Sequence, residues 1–370
     1  MQKSTRFFAF GIIIVFFAHL LVLSAQDPLM DVDKPSTLDK YDLVARGKMS
    51  QGRGLRPVQI ARLDNNGEIL FACVEGKTLE QLKSTGIVCQ QSQLELLVDW
   101  NLLEYDRKNR TYKTTIHVYG TDKAASIRKK VGTKVIQLTA TLDADLASIK
   151  NFLERIDREK NLFAILYGYV LHSYTMHQLG EEIYQKPQLS VEHPFWKGYA
   201  WAIYPRKKFP TGVTFLPVEG NQFFFVSAAT MPKLDLRQVM AFVKDVAIDN
   251  KVDDPELKKS LSVFNLCNEE GKLTIPIIEK EWSTKLENMA KKVYAKTIEL
   301  AESEKMKDLL GMETQAQAAM FLHYEIRYAF LNYLLEQGMI EAPVDFKNAD
   351  NNSPTDGRNL VFLIKTEKSD

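Results

Sequence analysis

The chain has 370 residues, 48 of them basic and 47 acidic, for a net charge of +1. So even a balance sets up no overall field that would draw the molecule to nucleic acid or to an acidic surface. Three cysteines, Cys73, Cys89 and Cys267, are too few for a disulfide framework, and no CxxC, HExxH, Walker or Gly-rich phosphate-binding pattern occurs.

The N-terminus reads as an export signal. Lys3 and Arg6 precede a long apolar run ending near Ser24-Ala25, where a signal peptidase could cut. The run is also long enough to span a bilayer uncut, so residues 1–25 are expected to be a signal peptide or a signal anchor. Either way the remainder is expected beyond the membrane, periplasmic or secreted, because the positive charges stay inside. Residues 26–52 are polar and read as a tether.

Residues 53–132 then form a first domain. NGEILFACVEG supplies a helix through Ile69, Leu70, Ala72 and Cys73. Thr78 is the expected N-cap of a short helix, LEQLKSTG, with Gly86 as its stop. A longer helix is expected over 90–101, its apolar side made by Leu94, Leu97 and Val98. A strand ending near Asp106, a turn at Lys108-Asn109-Arg110 and a β-branched run, TYKTTIHVY, complete a hairpin. This order over residues 66–119 resembles a winged helix-turn-helix domain of the kind found in bacterial repressors. In a DNA-reading member the second helix of the pair enters the major groove with Arg, Lys, Asn or Gln outward. Here the outward positions are Gln90, Gln91, Gln93, Glu95 and Asp99. Acidic residues facing phosphate oppose binding, so no nucleic-acid partner is expected. The wing cations Arg107, Lys108, Arg110 and Lys113 suit a solvated hairpin. Cys73 and Cys89 are packed thiols or a pair joining two helices of this module.

Residues 133–370 read as an α+β domain. Lys123–Gly132 is a basic surface helix leaving the wing, and helices follow at 143–159 and 161–184. The apolar residues of 161–179 nearly surround the axis, which marks a buried helix. After Pro187, GYAWAIYP, GVTFLPV and NQFFFVSAA read as a three-stranded antiparallel meander. Further helices are expected at 235–250, 255–264, 281–305 and 314–337, with a short strand LTIPII and a terminal strand NLVFLIKT. The stretch 314–370 admits two readings, a second winged-helix-like unit or a hairpin completing the middle sheet.

Three groups of residues suggest chemistry. His177 and Glu181 are four apart on one helix and could share a metal, although two ligands make an incomplete site. His172 and Glu182 lie on the same helix, and His172 points elsewhere. His323, Glu325 and Arg327 form either a buried polar network or an acid/base site. Cys267 is a nucleophile candidate with no neighbouring group to lower its pKa. Trp196, Tyr199 and Trp201 could stack on a carbohydrate, or they could belong to the core of the meander. No cofactor is indicated. The sequence therefore supports an exported, non-enzymatic scaffold or protein-binding protein with an envelope protein as partner, touching a membrane only through an uncut N-terminal segment. The alternative is an exported hydrolase or ligand-binding protein with its site in the middle domain.

Overall fold

The computed structural model describes residues 41–49, 56–184, 189–192, 194–205, 211–218, 221–228, 251–343 and 357–365. The expected signal segment, the first part of the tether and the helix expected at 235–250 lie outside the described residues. Among the described residues no helix is long and apolar enough to cross a membrane. The architecture is α+β.

The tether reading fails over Tyr41–Met49. Strand β1 (Tyr41–Met49) pairs antiparallel along the whole of a strand at Trp196–Pro205, with a register shift between Arg46 and Gly47. Its sequence, YDLVARGKM, mixes apolar with charged residues and contains a glycine, so the partner strand more than local propensity holds it extended.

Four helices follow: α1 (Pro57–Ala61), α2 (Asn66–Ala72), α3 (Leu79–Ser84) and α4 (Gln91–Asp99). Thr78 caps α3 as its sequence demands. Its side chain accepts from the Gln81 backbone N–H, and the Gln81 side chain accepts from the Thr78 N–H. Gly86 ends that turn at φ 84°, a left-handed conformation that favours glycine. Leu82, Leu94, Leu97 and Trp100 are fully buried or nearly so. The hairpin β2 (Leu103–Asp106) and β3 (Thr111–Thr114) closes the unit. Lys77, between α2 and α3, exchanges both backbone hydrogen bonds with Tyr112 of β3, and the Thr114 hydroxyl donates to the Leu70 carbonyl. These links tie the hairpin to the helices.

The strand expected to return through residue 119 breaks at Thr115. Beyond it, β4 (His117–Val118) leaves the hairpin and pairs in parallel with Ala202 and Ile203. The basic surface helix and the separate helix at 143–159 are in fact one helix, α5 (Thr121–Arg155), so the domain boundary expected at 132 falls inside it. The reason is a continuous apolar stripe: Ile127, Val131, Val135, Leu138, Leu142, Leu146, Ile149 and Leu153 are all buried. Gly132 sits within this stripe region without interrupting it, as the buried neighbours on both sides outweigh its weak helix propensity.

The next helix is buried as its composition predicts, but it is not uniform. A 3-10 turn (Glu159–Asn161) leads to α6 (Leu162–Ile165), an eight-residue π-helical stretch (Leu166–Ser173) and α7 (Tyr174–Tyr184). Gly168 in the π stretch lies so close to a sheet that a Cβ would stand 3.3 Å from Val226 Cγ2 and 3.4 Å from the Phe362 ring.

The expected meander does not form. Strand β5 (Trp196–Pro205) joins β1 and β4 in one sheet. Strands β6 (Thr211–Val218) and β7 (Asn221–Ala228) form a hairpin in a different sheet, of order β6-β7-β9-β8, with β8 at Ile277–Ile278 and β9 at Val361–Lys365. Alternation shows which residues share a face but carries no information about which strand lies alongside. The terminal strand β9 therefore completes the sheet of β7 instead of building a second winged-helix-like unit.

Helices α8 (Pro255–Ser262), α9 (Lys280–Ser303), α10 (Met306–Leu310) and α11 (Gln315–Glu336) complete the described chain. The main core gathers α5, the π stretch, α9 and α11 against Phe224, Val226, Phe362 and Ile364 on one face of the second sheet. Phe223, Phe225, Val361 and Leu363 project from the opposite face onto Leu257, Leu261 and Leu266. A sheet covered on both faces explains why FFFV and VFLI are apolar at every position.

Candidate functional site

Two places hold polar side chains in an arrangement beyond ordinary surface. The first is inside the molecule. On α11, His323 is fully buried, and Glu325 and Arg327 are nearly so, at 4% and 3% exposure. The three do not converge. Glu325 faces α5, where its Oε2 accepts from Arg128 Nε at 3.3 Å, while Arg128 Nη2 donates to the Pro205 carbonyl at 2.7 Å. Tyr204 lies close by, its phenol pushed well above the usual range by burial, with the Glu325 carboxylate adding to the effect.

Arg327 faces the π stretch instead. Its Nη1 donates to His172 Nδ1 at 2.7 Å, its guanidinium lies 4.2 Å from the centroid of the Tyr167 ring, and His172 stacks on His323 at 6.1 Å. A guanidinium only donates, so His172 Nδ1 accepts and the ring carries its proton on Nε2. Glu325 is paired with Arg128, and Arg327 is held by His172 and the Tyr167 ring. That arrangement orients helices, and of the two sequence readings it supports the buried network. Arg128, Tyr167 and Tyr204 were not visible as members, because Arg128 sits in a basic run that reads as surface.

The other sequence candidates disperse. Cys267 is buried, burial raises its thiol pKa, and its Sγ donates to the Lys258 carbonyl at 3.6 Å, which is no setting for a nucleophile. Trp196 is 1% exposed and offers no stacking surface to a sugar. Tyr199 falls at the register shift of β5, and Trp201 stands opposite Ala45; their side chains lie outside the described residues. His177 is exposed, and the Glu181 and Glu182 side chains are outside the description as well. No cluster of three or more His, Cys, Asp or Glu able to hold a metal occurs among the described residues.

The second place is the outer side of α4. Gln90, Gln91, Ser92, Glu95 and Asp99 are exposed, while Gln93 is half-buried. Two of the glutamines are already engaged. Gln91 Nε2 donates to Glu95 Oε1 at 3.0 Å and to the Tyr112 hydroxyl at 2.9 Å, and Gln93 Nε2 donates to Asn65 Oδ1 at 3.1 Å. The Gln93 carbonyl caps the helix by accepting from the Gln90 N–H. Beside the start of α4, Leu63 is 54% and Val88 81% exposed. The two loops that carry them are joined, since Asn65 Nδ2 donates to the Val88 carbonyl at 2.6 Å. A groove lined by Leu63, Asp64, Asn66, Gln90, Gln93 and Leu96 runs between them. Cys73 and Cys89 are buried free thiols in this part of the chain.

Comparison with protein-family models, with curated proteins and with solved structures finds no match to this chain.

Proposed function

We propose that this is an exported, non-enzymatic scaffold or protein-binding protein whose winged-helix-like module, residues 66–119, meets another protein and not DNA. The observation that carries this reading is the outer face of α4. It has Glu95 and Asp99 exposed, no Lys or Arg along Gln91–Asp99, and the Gln91 and Gln93 amides committed to partners within the protein. Base reading needs free donors and acceptors, and duplex affinity needs cations. Leu63 and Val88, by contrast, add exposed apolar surface of the kind that marks protein contacts. Helix, bridging residue, two helices and a hairpin follow one another here in the winged-helix order.

Export is the reading of Lys3, Arg6 and the apolar run behind them. An envelope partner follows from that location. The hydrolase or ligand-binding alternative draws little support, since Cys267 and Trp196 are both buried. The test is recovery of the tagged full chain from the envelope of its own cells after mild crosslinking. A discrete stoichiometric partner by mass is expected. Recovery from the cytosol, or with nucleic acid alone, overturns the reading.

A further inference from the structure

We propose that His172 is an acid-sensitive latch: proton uptake by its ring breaks the bond to Arg327 and loosens the π stretch from α11. This goes beyond the protein-binding reading and does not depend on it. The bond itself sets the chemistry. Arg327 Nη1 donates to His172 Nδ1 at 2.7 Å, so the latch holds only while Nδ1 keeps its lone pair. A proton there would turn the acceptor into a donor and set a second cation against the guanidinium. In an unfolded chain an imidazole takes its proton near a pH of about 6.5. Stability from this bond is therefore fully present above that value and is lost as pH falls below it.

The surroundings make the opening local. Acid reaches the ring because His172 is half-buried, whereas Arg327 is 3% exposed. Little else holds the guanidinium. Its Nε has no hydrogen-bond partner, and its ring contacts are Tyr167 at 4.2 Å and Tyr324 at 5.6 Å. Glu325, two residues away on α11, is paired with Arg128 of α5. His323, also on α11 and fully buried, stacks on His172 at 6.1 Å, and Tyr328 meets the Tyr167 ring at 6.4 Å. The other elements packed on the π stretch are α6, α7, α9, β6 and β7. Neither α6 nor strands β6 and β7 carry an ionisable residue. Helix α9 presents Glu287, felt at Tyr169, and Lys291, felt at Tyr174, and these two bond each other at 2.7 Å. Helix α7 brings Tyr174 and the exposed His177; its Glu181, Glu182 and Tyr184 side chains lie outside the described residues. The π turns are a rare helical form, and here they hold His172 and Tyr167 on the same guanidinium. Release of His172 removes one of those two contacts.

Two measurements on the full chain test this. Exchange of the imidazole C2 proton, read by mass in the His172 peptide, follows proton uptake at that ring. Its midpoint is expected at lower pH in the native protein than in the guanidinium-unfolded chain. An equal or higher native midpoint overturns the inference.

The second is backbone hydrogen exchange at pH 7 and pH 5, scaled for the chemical effect of pH. Amides of 166–173 and 320–331 are expected to lose protection about tenfold at the lower pH, with the β2–β3 hairpin unchanged. His172→Asn keeps an oxygen able to accept from Arg327 and cannot take up this proton, so it should abolish the local loss. Unchanged protection, a loss of equal size throughout the chain, or the same local loss in His172→Asn overturns the inference. Should His172→Asn fail to fold, the native midpoint and the parental exchange decide between them.

Discussion

Arg327 grips two residues that an α-helix would hold on different faces: its Nη1 bonds to His172 Nδ1 at 2.7 Å and its guanidinium covers the Tyr167 ring at 4.2 Å. Residues five apart at 3.6 per turn point about 140° away from each other. The π-helical turns between Leu166 and Ser173 widen the spiral and bring both to the α11 side. Arg327→Met keeps most of the volume but leaves His172 Nδ1 without this donor. A loss of about 2–4 kcal/mol is expected in denaturant unfolding. Arg327→Lys should recover only part of it, because an ammonium lacks the planar group that lies on Tyr167. A parental midpoint for Arg327→Met would show that the bond contributes nothing.

Gly271 has φ +81°, and a Cβ there would stand 2.2 Å from the Val252 carbonyl oxygen, whose residue also donates its N–H to the Gly271 carbonyl at 2.9 Å. Gly271→Ala is therefore strained both by backbone conformation and by contact with main chain. It should destabilise by about 1–3 kcal/mol and loosen the packing of α8 on the second sheet. Thermal melting together with hydrogen exchange over 251–278 checks both parts.

Burial pushes the Cys73 thiol up to about 12, with Cys89 adding to the effect, and burial also raises Cys89 and Cys267. Reaction requires the thiolate. Iodoacetamide at neutral pH should label none of the three in the native protein and all three in guanidinium. Fast native labelling of Cys73 would contradict the packing of α2.

His117 has its pKa lowered by burial first and by Lys123 second, with Glu313 acting in the opposite sense. The unfolded chain thus binds this proton more readily than the folded one. Between the folded and unfolded values, stability rises with pH, and it is lost as pH falls through the unfolded value of about 6.5. His117→Gln should flatten the stability profile between roughly pH 7 and 5. An unchanged slope would remove His117 from the acid response.

The module should bind random duplex only weakly at low salt, through Arg107, Lys108, Arg110 and Lys113 of the exposed hairpin. Such binding should vanish near physiological ionic strength. Mobility shifts across a salt series measure this, and sequence-selective binding that survives would overturn the reading of α4.

Much of the local structure was legible from side chains alone. Thr78 with Gln81 and Thr314 with Gln317 specify helix starts through reciprocal bonds within one turn. Gly86 marks a left-handed stop, and the apolar circumference of 162–171 announces a buried helix. Even the two-sided burial of the second sheet could be read from FFFV. Of the polar groups, His323, Glu325 and Arg327 were recognisable as unusual on an otherwise apolar helix, though not as members of two separate networks.

Pairing over long distances was not legible. Strand β1 lies against β5 across more than a hundred residues, and β9 reaches back to β7 in the same way. Any extended segment offers the same row of amides and carbonyls, so the sequence determined which segments extend and which faces are apolar. The choice of neighbour rests on closing the core as a whole. So does the π stretch, whose extra residue per turn makes sense only once Arg327, Val226 and Phe362 surround it. Short-range chemistry chose the elements; the burial of all of them together decided their partners.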